Sequence, residues 1–134
     1  MDKQQHDEWQ KSNDAADAGY DPKPWQGVAV HSQNTPHHEF VMFVVAWVLD
    51  DMGRSWATET VMDDGRVDVF DYGPTDGKAL VYEVETGVTK PQARRKVEQY
   101  CKGPVRDVIV IDPADVPKHL DEAIEYIKSH VVIG

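Results

Sequence analysis

Three acidic residues fall where a strand pattern would bring them together. The stretches Arg66-Val67-Asp68-Val69 and Val81-Tyr82-Glu83-Val84-Glu85 both read as β-strands. Strand side chains alternate between faces. Glu83 and Glu85 therefore share one face with Val81, their Cα atoms about 7 Å apart, while Leu80, Tyr82 and Val84 take the other. Asp68 lies mid-strand on the preceding strand, opposite them in a hairpin-like pairing. Acids placed where apolar residues would be buried are costly without partners. Three carboxylates converging on one patch of sheet suit a hard divalent cation, since Mg²⁺ or Mn²⁺ takes a few carboxylate oxygens and keeps several waters. Such an ion activates water and stabilises the charge developing on a phosphodiester. The plainer alternative is that each acid lies on the solvated face of an Asp-rich chain.

The remaining chemistry-bearing residues are fewer. Arg94-Arg95-Lys96, with Lys90 before and Lys102 after, is the one dense basic patch. It reads as a phosphate contact site, or as a face that neutralises neighbouring acids. His37-His38-Glu39 is a poor zinc site, because adjacent side chains on a helix diverge by about 100°. His31 is a further ligand candidate near the same pocket. Cys101 falls on an apolar stripe and reads as core. No Ser-His-Asp arrangement and no phosphate-cradling Gly loop is visible.

These residues need elements to position them. Thr35-Pro36 opens a helix, with Thr as N-cap and Pro in the first turn, and Glu39 lies where a negative charge suits the helix dipole. That helix runs through Val48 and stops at Asp50-Asp51-Met52-Gly53. Ser55 to Met62 and Arg66 to Tyr72 form a hairpin around Asp63-Asp64-Gly65. Gly73 to Gly77 is a second turn, and Ala79 to Glu85 a third strand. A helix from Pro91 to Lys102 carries Ala93, Val97, Tyr100 and Cys101 as one stripe. Val105 to Asp112 is a fourth strand, expected to be buried on both faces. A last helix spans Val116 to His130. The fourth strand returns through a helical crossover, so it can lie parallel to a neighbour. The expected fold is α/β, a mixed central sheet flanked by helices.

Composition sets the outer limits. The chain has 134 residues, the size of one domain. Its single cysteine excludes an internal disulfide and a Cys-based zinc site. The longest apolar run, Phe40 to Leu49, is about half a membrane span, and the N-terminus has no apolar signal core. A cytoplasmic protein without membrane contact is expected. Residues 1–26 contain no Val, Ile, Leu or Phe. They read as a flexible polar arm, with or without one short helix, ahead of a domain over 27–134. The net charge is −10, from 24 acids against 14 basic residues, with 16 Asp and only 3 Leu. Such a charge ordinarily repels nucleic acid. An Asp-rich, Leu-poor surface is also characteristic of proteins from salt-loving archaea, where molar salt screens charges within about 3 Å. In that setting the net charge says little about partners.

Taken together, His37-His38-Glu39, the Glu59 strand, Gly65-Arg66-Val67-Asp68-Val69, Tyr82-Glu83-Val84-Glu85 and Lys96-Val97-Glu98-Gln99-Tyr100 resemble the PD-(D/E)xK nuclease superfamily. The nearest likeness is to archaeal Holliday-junction-resolvase and RecB-like nucleases, over residues 31 to about 112 and in the order αβββαβ. The resemblance implies a restriction-endonuclease-like core and Mg²⁺- or Mn²⁺-dependent hydrolysis of DNA. It implies Asp68 and Glu83 as metal ligands, joined by Glu39 from the first helix or by Glu59 from the first strand. It places Lys96 and Gln99 where members carry polar residues on the next helix, and makes a homodimer a natural assembly. Lys90, Arg94 and Arg95 would hold phosphates. One position departs: Glu85 stands where the family has lysine, giving E-x-E. Either Lys96 or Lys90 supplies the missing cation, or Glu85 is an extra ligand or base for water, or cleavage has been lost and binding of DNA or a protein kept. An orphan α/β domain with a merely acidic surface is the remaining reading.

Overall fold

The computed structural model describes residues 3–20, 35–62, 65–73 and 78–131. The elements in chain order are α1 (Lys3–Asp17), α2 (Pro36–Asp51), β1 (Trp56–Met62), β2 (Gly65–Asp71), β3 (Ala79–Val84), α3 (Lys90–Tyr100), β4 (Val105–Ile111) and α4 (Leu120–Lys128). The strands form one mixed sheet in the order β1-β2-β3-β4. β1, β2 and β3 are an antiparallel meander, and β4 returns through α3 to pair parallel with β3. The αβββαβ order and the mixed α/β sheet are those read from the sequence.

The end signals act as expected. Thr35 is extended (ψ 157°) and its hydroxyl accepts from the His38 N–H, with Pro36 in the first turn. Gly53 follows the helix at φ +77°. Thr89, not singled out in the sequence, caps α3 in a reciprocal box with Gln92. α4 is shorter than expected. Residues 113–115 are a single 3-10 turn, and Val116 is extended at φ −88°, ψ 125°. Pro117 is the cause, since a residue preceding proline avoids the helical region.

Two apolar layers enclose the sheet. On one face α2 and α4 pack Val41, Val45, Leu49, Ala123 and Ile127 against Val69, Leu80, Tyr82, Val84 and Ile111. On the other, Ala15, Tyr20 and Tyr100 cover Ala57, Val67, Phe70, Ala79, Val81 and Val108. β4 lies at the sheet edge. Its Ile109 and Val110 are only half-buried, so the expectation of burial on both faces does not hold there.

The segment read as a polar arm holds a 15-residue helix whose Lys11 and Ala15 are buried, as is Tyr20 three residues past its end. Lys11 Nζ donates to the Tyr72 carbonyl, the Tyr20 hydroxyl to the Tyr100 carbonyl, and the Ser55 hydroxyl to Glu8. Sequence patterning misses this docking because it runs through three hydrogen bonds and two small apolar contacts rather than an apolar stripe. Gly103 permits it: at φ +56°, a Cβ there would lie 2.8 Å from Ala18 Cβ and 2.9 Å from the Asp14 carbonyl oxygen. The start of the expected domain at 27–34, with His31, and the turn residues 63–64 and 74–77 lie outside the described residues.

Candidate functional site

The β2–β3 ladder runs from Asp71↔Leu80 to Val69↔Tyr82 and then stops. The next backbone donors turn to side chains. The Asp68 N–H donates to Glu83 Oε2 at 3.2 Å, and the Val84 N–H to Asp68 Oδ2 at 2.7 Å. Two carboxylates thus replace the carbonyls that a continuous ladder would offer. The strand itself changes course here. Val69 belongs to the layer under α2, whereas Val67, two residues away, belongs to the opposite layer. A regular strand would keep both on one face. On the other side of β2, Glu59 falls between the pairs Thr58↔Val69 and Thr60↔Val67 and adopts φ +49°. A left-handed glutamate costs about 1–2 kcal/mol. The irregularity is therefore shared by all three strands of the meander, and it is centred on Asp68.

Because the sheet parts at this point, α2 reaches Asp68 and α3 reaches Glu83 beside it. From α2, His38 Nε2 lies 3.6 Å from Asp68 Oδ2. From α3, Lys96 Nζ lies 3.7 Å from Glu83 Oε1 and 2.6 Å from Glu85 Oε2, with the Tyr100 ring 5.9 Å away. Glu83 is only 5% exposed. Burial, the adjacent Asp68 charge and a hydrogen bond with the Asp68 side chain push the Glu83 carboxyl up to about 8. Near neutral pH the neutral form of the Glu83 carboxyl is therefore favoured. Burial works against the Lys96 charge, but the Glu85 hydrogen bond and the Glu83 and Glu85 charges outweigh it and hold the ammonium above the ordinary lysine range.

The expected residues sort into three groups. Asp68, Glu83 and Lys96 converge, with Glu85 joined to them through Lys96. Glu85 differs from expectation: it lies just past β3, and its side chain is 51% exposed. It serves as the anchor of Lys96 rather than as a third carboxylate in the hollow. Glu39 is half-buried on the first turn of α2 with Oε2 shielded from solvent, but the contact from that turn to Asp68 is made by His38. Glu59 meets Arg66 at 4.0 Å. Lys90, Arg94 and Arg95 are exposed on α3, and Gln99 is half-buried. Sequence does not single out His38, because nothing in a single chain sets which of residues 37–39 faces the sheet.

The donor set fits a small hard cation. Mg²⁺ commonly takes one or two carboxylates and completes its shell with water and phosphate oxygens, and Asp68 beside Glu83 offers such a pair. Among the described residues no three His, Cys, Asp or Glu side chains are disposed to enclose an ion. Any ion held here would keep several positions open to solvent and substrate. Among the described residues no helix is long and apolar enough to cross a membrane. Comparison with protein-family models, with curated proteins and with solved structures returns no match.

Proposed function

We propose that this protein is a Mg²⁺- or Mn²⁺-dependent nuclease of PD-(D/E)xK character that hydrolyses DNA phosphodiesters in the cytoplasm of a salt-adapted cell. The observation that carries the reading is the meeting of Asp68, Glu83 and Lys96 where β2 and β3 part. Asp68 and Glu83 would hold the ion, which when bound lowers the pKa of its water and offsets charge on the phosphodiester. Lys96 takes over the part of the lysine that Glu85 displaces. It comes from the helix instead of the strand, and its ammonium faces the acid pair from the α3 side. Glu85 orients Lys96 through their 2.6 Å contact. His38 orients Asp68 and, when protonated, adds a positive charge beside it. Exposed Arg94 and Arg95 extend the cationic face of α3 toward phosphates.

The test is cleavage of plasmid and branched DNA with Mn²⁺ in high KCl. Asp68→Ala and Lys96→Met are each expected to lower the rate by at least about a hundredfold, the usual cost of removing one group that stabilises a transition-state charge. Cutting by the variants at the wild-type rate contradicts the assignment. DNA retention without cutting by the wild type would make the protein a binding module instead.

A further inference from the structure

Glu85 has a second neighbourhood. Past the C-terminal ends of the parallel strands β3 and β4 lies an open cleft of about 350 Å³. Glu85 forms part of its wall, so the cleft begins where the Lys96 contact ends. Val88, Ala93 and Val110 supply apolar surface. Tyr126 and His130, one helical turn apart, line the cleft and stack on each other with ring centroids 4.5 Å apart and planes 30° from parallel. Glu85, Asp112 and Asp115 give it an acidic rim, and Lys90 stands at its edge.

We propose that this cleft is a nucleobase site, taking one unpaired base of the strand whose phosphodiester lies at the Asp68–Glu83 pair. The proposal rests on the nuclease reading above and names its substrate class: a strand with an unstacked nucleotide beside the bond to be cut. The volume is at the small end for ligand sites and suits one base, not a duplex. A planar base entering it extends the Tyr126–His130 stack, and ring stacking accepts any base. The rim supplies the discrimination. Its carboxylates repel phosphate, so the base enters and the backbone stays outside, where Lys90 and Arg94 lie four residues apart on exposed α3. Carboxylates accept from the exocyclic amines of cytosine, adenine and guanine, whereas an unpaired thymine offers only its ring N3–H. The site therefore prefers amine-bearing bases.

The experiment is binding, measured without metal so that no cleavage enters. Labelled oligo-dC, oligo-dT and a blunt duplex are titrated by fluorescence polarisation with the full-length protein and with His130→Ala, Tyr126→Ala and Tyr126→Phe. Melting curves confirm that each variant folds, and exposed His130 provides a variant outside the core. Expected are tighter binding of oligo-dC than of oligo-dT, a loss of roughly tenfold on oligo-dC in both alanine variants, unchanged duplex binding, and wild-type affinity in Tyr126→Phe. Folded alanine variants that bind oligo-dC as well as wild type, or that lose duplex binding equally, overturn the proposal. Absence of Mn²⁺-dependent cutting alongside Tyr126-dependent binding would sink the nuclease reading and leave the base site standing.

Discussion

Glu83→Gln is expected to raise the melting temperature of the metal-free protein at pH 8 and to abolish the stabilisation by Mn²⁺ that is expected of the wild type. The sign follows from the acid pair. Glu83 is buried against Asp68, and its carboxyl is pushed from an ordinary 4.5 up to about 8. Between those values the folded protein binds a proton that the unfolded chain does not. Folding stability from this group is then full below about pH 4.5 and is lost as pH rises through about 8. A tenfold change in proton affinity is worth about 1.4 kcal/mol, so the loss is on the order of several kcal/mol. A glutamine keeps a neutral donor beside Asp68 and removes the pH dependence. Metal binding runs the other way, since the ion requires the proton to leave, and its affinity should strengthen as pH rises toward 8. Thermal melts from pH 5 to 9, with and without Mn²⁺, check both halves. A wild type that gains stability with pH in the metal-free state contradicts this assignment.

The second large effect lies away from the site. Arg54→Met is expected to destabilise the protein by about 3–5 kcal/mol, the cost of leaving a buried charge without its partner. Asp71 is fully buried, and its Oδ2 accepts from Arg54 Nη1 at 2.9 Å and from the Tyr82 hydroxyl at 3.2 Å, while Oδ1 accepts from the Gly73 N–H at 2.7 Å. Burial raises the Asp71 carboxyl pKa, against the Gly73 hydrogen bond and the Arg54 charge that lower it. The group ties the end of α2 to β2 and β3. Arg54→Met combined with Asp71→Leu should recover much of the loss, because apolar replacements of a buried pair are often close to neutral. Denaturant titration of the single and double variants measures it. Equal loss in both would assign the effect to packing rather than to the charge.

Neither His38 nor this buried pair was legible in the sequence, and the reason is the same. Asp71 is one of sixteen aspartates, and no local pattern separates a buried one from a solvated one. The elements themselves were legible where chemistry marks their ends: Thr35-Pro36 and Gly53 act as their types predict. The hairpin register placed Glu83 opposite Asp68, one position beyond the last ladder pair, Val69↔Tyr82, where their side chains take over the bonding across the gap. Glu85, one residue past the last paired strand position, meets Lys96 as Glu83 does but is half exposed, so strand alternation gave its side of the sheet and not its burial. The departure of β2 from β3 at Asp68, with Glu59 left-handed opposite, depends on contacts across three strands that no single segment encodes. The length of α1 and the contacts that dock it escaped for a different reason: a helix held by Lys11 and Ala15, with Tyr20 just past its end, has too few apolar residues to announce a buried face.

The most direct measurement is a crystal structure of the full-length protein soaked with Mn²⁺ at pH 8, read at the manganese absorption edge. One anomalous peak is expected in contact with carboxylate oxygens of Asp68 and Glu83, absent from crystals of Glu83→Gln. A peak confined to Asp112 and Asp115, or no peak at all with Asp68 and Glu83 still sharing their hydrogen bond, would contradict a metal site at this pair.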